Sequence, residues 1–529
     1  MNHAHGMGSK RPWPFAVAGL ASAALLFGTA ELVSAFFGGS SSPMVAMGGS
    51  FIDITPPWLK DLAIGLFGTA DKIALFVSIA LVAAVAAAGI GLLSRRRPNA
   101  AYAAIAALGV AMSASVLSRP ATGPLDVVPT IVGVFSGLAA LAFLRPRAEA
   151  ALQEGPVAIE LRAEGGAPAS SGGSGRRAFL AWAGAAALLA AAGTLAGRAA
   201  SGVRNLAAAT RDALRLPAPA SPAPPLPGGL EPGIEGMPPW QSPNTGFYRI
   251  DTALVVPEVD PSTWSLRVHG LVEEEFTLGF DELLALELEE AWVTLTCVSN
   301  PVGGDLAGNA RWLGYPVRKL LDRARPLDEA DMVLSTSIDG FSASTPLEVL
   351  TDERDALLAV GMNGEPLPLQ HGFPVRLVVP GLYGYVSATK WVVDLEVTRF
   401  DEKTAYWTDR GWSDRGPIKL ASRIDVPRGF ARVPAGSVAL GGTAWAQQRG
   451  ISGVQVRIDD GDWVEAELAA EASVDTWRQW SYAWADAAPG RHTVTVRAVD
   501  GDGEAQTAER ADPVPDGASG WHSVTFTVE

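Results

Sequence analysis

The 529-residue chain sets 41 lysines and arginines against 56 aspartates and glutamates, a net charge of −15 at pH 7. So acidic a chain argues against nucleic acid as a partner, because phosphate binding needs a basic surface. A single cysteine excludes an intrachain disulfide scaffold. The length predicts about three domains. The averages, 48% hydrophobic and 18% charged, merge two unlike halves: residues 1–200 are rich in Ala, Leu, Gly and Val, and the remainder has globular composition and most of the acids.

Five apolar stretches, 15–37, 73–93, 100–117, 127–144 and 178–196, approach the roughly 20 residues that a bilayer-spanning helix requires. The third and fourth are short and Ala/Gly-rich, so buried soluble helices are the alternative there. Lys10 and Arg11 precede the first stretch, Arg95, Arg96 and Arg97 separate the second from the third, and Arg145, Arg147, Arg176 and Arg177 separate the fourth from the fifth. The alternate loops hold only Lys60, Lys72 and Arg119. Positive residues favour the cytoplasm. The expected topology is therefore a multi-pass cell-membrane protein with a cytoplasmic N-terminus and everything after the fifth span outside, in contact with membrane lipid. Glu31 falls inside the first stretch, where a carboxyl is either functional or lies near the outer interface.

The fifth stretch opens Gly175-Arg176-Arg177-Ala178-Phe179-Leu180, which looks like an internal twin-arginine export signal; a plain topology anchor is the alternative. That pathway moves folded proteins and suits one that acquires its cofactor before crossing. Segment 157–175 reads as a cytoplasmic loop without regular structure. Residues 201–239 read as a linker, Pro/Gly/Ala-rich from Leu216 onward, semi-rigid by its proline density and suited to spacing a globular head from the membrane.

From Trp240 the pattern becomes short strands and helices. Segments 264–270, 292–297, 375–381 and 390–397 read as strands, and 280–286 and 317–324 as helices. After about Pro417, short strands at 437–445, 454–459, 463–468, 493–499 and 524–528 recur between Gly-rich turns, including Asp459-Asp460-Gly461-Asp462. That spacing predicts an all-β sandwich. The expected domains are a helical membrane domain over 1–200, the linker over 201–239, an α+β domain over 240–410 and the sandwich over 411–529.

Cys297 ends the predicted strand Trp292–Cys297. Taken alone it is either a buried small hydrophobe or a thiolate ligand to a soft metal. A cysteine-nucleophile hydrolase is a further alternative, with His371 the only plausible base. Three more segments are informative: Asn244-Thr245-Gly246-Phe247-Tyr248-Arg249-Ile250-Asp251, then 362–381 with its Gln370-His371-Gly372-Phe373-Pro374-Val375-Arg376, then Tyr383–Trp391. With the cysteine stretch they resemble, in order, the motifs of the sulfite oxidase family of molybdenum enzymes. The last domain resembles that family's immunoglobulin-like dimerisation domain.

The resemblance implies a molybdenum–molybdopterin cofactor, with Cys297 as the one protein ligand to the metal. It implies that His371 and Arg376 contact the pterin and its phosphate, and that Ala388, Thr389 and Lys390 add donors to the same anion. Tyr248 and Arg249 lie in the entrance motif, and Asn244 and Ser337 are further pterin candidates. Arg249, Arg311 and Arg449 are the expected oxyanion-binding arginines. Phe341 stands where sulfite oxidases place an active-site tyrosine, and Val298-Ser299-Asn300-Pro301-Val302 departs from the small-Gly-Asn-Arg-Arg pattern. The expectation is therefore oxygen-atom transfer on an oxyanion or sulfoxide-type substrate, with a cytochrome or quinone as electron partner and a possible homodimer. A non-enzymatic envelope binding protein on the same scaffold is the alternative.

Overall fold

The computed structural model describes residues 12–37, 41–56, 71–119, 122–153, 174–203 and 206–529. Lys10, Arg11, Lys60 and nearly all of segment 157–175 lie outside them. The chain divides into two compact units, Met1–Asn205 and Leu206–Glu529.

Among the described residues of the first unit five helices are long and apolar enough to cross a membrane: Trp13–Ser34, Val77–Arg96, Pro98–Leu117, Pro124–Gln153 and Gly175–Gly197. A shorter apolar helix, Pro43–Ile54, was not expected from the sequence. Small residues set the packing by letting the helix backbones approach closely. A Cβ on Gly19 would fall 2.1 Å from the Ala87 carbonyl, and one on Gly91 would fall 2.1 Å from that of Phe15. The first and second long helices therefore touch backbone to backbone. Thr29 and Ser136 link the first and fourth helices by a 2.5 Å hydroxyl pair. Glu31 sits in the last turn of its helix, where the Ser42 hydroxyl donates to it at 2.5 Å.

The second unit holds four sheets. One runs Phe276–Gly279, Ser265–Gly270, Val392–Thr398, Met332–Ser337, Ser342–Pro346, antiparallel except for the pair Ser265–Gly270 with Val392–Thr398. The second runs Glu289–Thr296, Ala307–Pro316, Leu357–Met362, Glu365–Pro366, with Arg376–Val378 also paired to Leu357–Met362. The helix Val317–Ala324 falls where its spacing predicts, and Phe280–Leu284 covers the first part of its predicted segment. Fully buried Trp312 and Trp391 anchor the packing around these sheets.

The remaining two sheets run Ala421–Val426, Gly436–Trp445, Arg478–Ala487, Glu467–Leu468 and Arg432–Val433, His522–Val528, Gly490–Asp500, Ile451–Ile458, Val464–Glu465. They share one core, with Leu440 and Trp480 from one and Val454, Val496 and Phe526 from the other. Three of these strands escape sequence reading, the two-residue Arg432–Val433 and two longer ones. Arg478–Ala487 buries only three of its ten residues, so its period-two signal is weak. Ala421–Val426 buries three in succession, which erases alternation.

The linker differs from expectation. Leu206–Ala213 is helical, and the proline stretch lies along the head rather than standing off it. Ala220 N–H donates to the Leu288 carbonyl at 2.7 Å, and Glu290 N–H to the Ser221 carbonyl at 2.8 Å. Further along the same edge strand, Thr294 N–H donates to the Asp475 carbonyl at 3.0 Å. Gln447 Nε2 donates to the Thr294 carbonyl at 2.9 Å, and Trp477 N–H to the Thr294 hydroxyl at 2.8 Å. The open edge of Glu289–Thr296 is thus occupied at one end by the strap and at the other by the C-terminal sheets. Prolines are compatible with such an edge, since few of their neighbours must donate to the ladder.

Candidate active site

The strand Glu289–Thr296 buries its last six residues and delivers Cys297 into a turn. Cys297 N–H donates to the Leu306 carbonyl at 2.9 Å and its own carbonyl accepts from Asn300 N–H at 3.1 Å. Asn300 Oδ1 accepts from Leu306 N–H at 3.0 Å, closing the loop on itself. Gly303, at φ +78°, carries the far side of this loop against His522, whose Cδ2 would lie 2.2 Å from a Cβ placed there. His522 is fixed in turn, its Nδ1 accepting from Ile424 N–H at 3.0 Å. Gly303→Ala should therefore cost about 1–3 kcal/mol through the left-handed φ and the clash together. Urea unfolding of purified protein checks this.

Cys297 opens onto a cleft of about 850 Å³ of empty space, its open mouth included. Four stretches complete the wall: Phe247, Tyr248 and Ile250 to Thr252; Ser337, Asp339 and Phe341; His371, Arg376, Gly384, Tyr385, Ala388, Lys390 and Trp391; and Trp407 with Trp412. The second comes from the end of Met332–Ser337 and the turn after it. The third begins on the short helical turn Leu369–His371 and runs through the strand Arg376–Val378.

Charge is distributed unusually. Arg376 is buried and gives its guanidinium to three carbonyls, those of His371 at 3.1 Å, Ala388 at 3.3 Å and Leu377 at 3.3 Å. Among the described residues no carboxylate pairs with it, and burial pushes its pKa down to about 10. Burial also brings Lys390 down to about 8, against the opposing pull of Asp251. His371 falls to about 4, through burial first and then the Arg376 and Lys390 charges, so the ring is neutral at pH 7. Its Nε2 donates to the Asn244 carbonyl at 3.2 Å. Burial pushes the Cys297 thiol up, while hydrogen bonds to Ser299 and the Lys390 charge pull the other way. Burial likewise holds Tyr248 protonated.

The site suits a particular kind of ligand. A desolvated guanidinium without a counter-ion is costly, and an anion on Arg376 and Lys390 removes that cost with charge-assisted bonds. No group of three His, Cys, Asp or Glu side chains able to hold a metal occurs among the described residues. A single thiolate beside a cationic pocket fits the metal on a phosphate-bearing pterin dithiolene that the resemblance implies, since that group brings its other ligands with it.

Of the residues expected from sequence, Cys297, Tyr248, Ser337, His371, Arg376, Ala388 and Lys390 line the cleft. Asn244 and Thr389 lie behind it: the Asn244 side chain accepts from Asn363 Nδ2 at 2.8 Å, and Thr389 pairs with the Ser335 hydroxyl at 2.7 Å. Arg249 is ion-paired to Asp251 at 2.7 Å with its side chain 40% exposed. Arg249 is thus outside the cleft wall, and the two other expected arginines are elsewhere as well. Arg311 is absent from the cleft wall; its guanidinium lies 3.5 Å from Glu290 and over the Trp292 ring. Arg449 is also elsewhere, held by buried Asp500 at 2.7 Å and by the Ile418 carbonyl. Sequence reasoning missed Asp251, Asp339, Trp407 and Trp412. Asp251 closes the entrance motif itself, where no sequence signal assigned it a role.

The oxidoreductase molybdopterin binding domain family matches residues 253–407. Mitochondrial sulfite oxidase of Mus musculus is 32% identical over 286 residues, 45% of this chain and 52% of that protein. The uncharacterized oxidoreductase YuiH of Bacillus subtilis (strain 168) is 32% identical over 180 residues, 34% of this chain and 87% of that protein. Among solved structures, the sulfane dehydrogenase SoxCD from Paracoccus pantotrophus superimposes with TM-score 0.49 at 22% identity, covering 55% of this chain and 84% of that one. The chain spans about half the length of the mitochondrial sulfite oxidases it matches. It belongs to the sulfite oxidase family of molybdopterin-dependent oxidoreductases, and molybdenum–molybdopterin is the cofactor that this domain implies.

Proposed function

We propose that the chain is a membrane-anchored, extracytoplasmic oxidoreductase catalysing oxygen-atom transfer on a small oxyanion or sulfoxide-type substrate and exchanging electrons with a separate cytochrome or quinone partner. One observation carries it: the only thiol and an uncompensated buried guanidinium share one cleft. When bound, molybdenum–molybdopterin supplies the two-electron chemistry. Cys297 serves as its thiolate ligand. Arg376 and Lys390 grip the phosphate, with Ala388 and Thr389 beside them. Neutral His371, Tyr248, Ser337 and Asn244 orient the pterin, and Arg249, ion-paired to Asp251 just outside the wall, is the substrate-side cation.

The anchor reading rests on the five long apolar helices and on the arginines of alternate loops. The chain is divided into 1–200, 201–239, 240–410 and 411–529, the second part packing on the head from Leu206 onward and the last an immunoglobulin-like domain suited to homodimer formation. Metal analysis of purified protein tests the core of this: about one molybdenum per chain is expected, and a folded head without it overturns the reading. Export is tested separately. Changing Arg176 and Arg177, both exposed, to lysine should remove the head from the outside of the cell in a protease-accessibility assay. Normal external levels would refute the twin-arginine route while leaving the chemistry intact.

A further inference from the structure

Cys297 opens a four-residue turn, Cys297-Val298-Ser299-Asn300, closed by Asn300 N–H donating to the Cys297 carbonyl at 3.1 Å. The bend brings Ser299 back to the thiol. Both its N–H and its hydroxyl donate to Cys297 Sγ, and Ser299 lines the cleft beside the sulfur. The turn has little freedom to lose these bonds. Val298 is buried in the main core. Asn300 Oδ1 accepts from Leu306 N–H at 3.0 Å, and Leu306 returns its carbonyl to Cys297 N–H at 2.9 Å.

The two donors make different demands on the sequence. Any residue except proline at position 299 offers the N–H, including the glycine of the family pattern. Only a hydroxyl side chain adds the second donor. The same pattern sets two arginines where this chain has Pro301 and Val302. The turn therefore lacks two formal charges close to the sulfur along the chain and carries one extra dipole aimed at it. Lys390 also acts on the thiol by its charge, but Asp251 at 2.8 Å offsets it. A hydrogen bond to an ionised acceptor is about twice as strong as a neutral one. Bonds of this kind to a ligating sulfur are among the levers by which a protein sets a metal's potential.

We propose that Ser299 is a positioning residue that sets the reduction potential of the metal held by Cys297, its hydroxyl adding to its N–H in drawing charge from the thiolate. A thiolate so bonded is a poorer donor, and a poorer donor favours the reduced metal over the oxidised one. The hydroxyl thus raises the potential above what the backbone donor alone gives. The proposal rests on Cys297 being the ligand and goes beyond it, because it assigns the potential to a side chain that never touches the metal.

The test uses full-length holoenzyme of measured molybdenum content. Redox titration against mediators, followed by the electron paramagnetic resonance signal of the singly reduced metal, gives the midpoint potential. Ser299→Ala should keep its molybdenum and its thiolate charge-transfer band, while the equilibrium constant for one-electron reduction falls about tenfold, a potential roughly 60 mV lower. Ser299→Thr keeps the hydroxyl and should restore the wild-type potential. An unshifted potential in fully loaded Ser299→Ala overturns the proposal, as do equal shifts in the alanine and threonine variants. If Ser299→Ala lacks molybdenum, Ser299→Gly is titrated in its place with the same expected shift, and loss of molybdenum from both overturns the proposal. Wild-type protein without molybdenum overturns the cofactor reading beneath it instead.

Discussion

Replacing Cys297 by serine should abolish the visible thiolate-to-metal charge-transfer absorption and lower turnover by more than about 100-fold, beyond the range seen when only the outer partners of a metal are removed. The sulfur side chain is the only protein thiolate available, and a hydroxyl is a harder and much less acidic donor. The loop that carries it is held by backbone bonds to Leu306 and Asn300, so the fold should survive the exchange. Absorption spectra, molybdenum content and turnover with an artificial electron carrier, measured on one preparation, separate the outcomes. Survival of the band would exclude Cys297 as the ligand.

Arg376→Gln should have the second largest effect, and on a different quantity. Loss of a charge-assisted contact to a phosphate weakens binding by about 1.5–3 kcal/mol, roughly 10- to 100-fold in cofactor affinity. The variant should therefore be purified with molybdenum well below stoichiometry. The stability of its cofactor-free form should change far less, because the wild-type guanidinium is itself desolvated without a counter-ion and its removal relieves that cost. The carbonyls of His371, Ala388 and Leu377 lose a donor and set the opposing cost. Molybdenum analysis beside urea unfolding of the cofactor-free protein reads both effects. Full retention of molybdenum would remove Arg376 from the phosphate site.

Much of this was legible in the chain, for physical reasons that differ by element. The five long helices follow from apolar length alone, and Val317–Ala324 from its amphipathic spacing. Cys297, His371, Arg376 and Lys390 could be named because each sits in a stretch whose order and residue types match a family pattern. What stayed hidden depends on three-dimensional pairing. Arg311 faces away from the cleft because its neighbour across the strands is Trp292, beside the carboxylate of Glu290. Arg449 is claimed by Asp500, 51 residues later. Trp407 and Trp412 reach the mouth through a loop whose path no periodicity predicts. Proline density predicts a semi-rigid spacer, and only the packed structure reveals the edge strand that part of it lies against.

That capped edge has a consequence for how the head comes apart. The strand leading to the thiol is gripped on its outer side at both ends, by chain from well before it and by chain from well after it. The sulfur-bearing core and the C-terminal sheets should consequently melt as one event, with a single calorimetric peak. A fragment cut after residue 410 would bare the Thr294 end of that edge, and bare edges recruit strands from other molecules. Separate expression of the two parts should accordingly give sticky pieces rather than a smaller working catalyst.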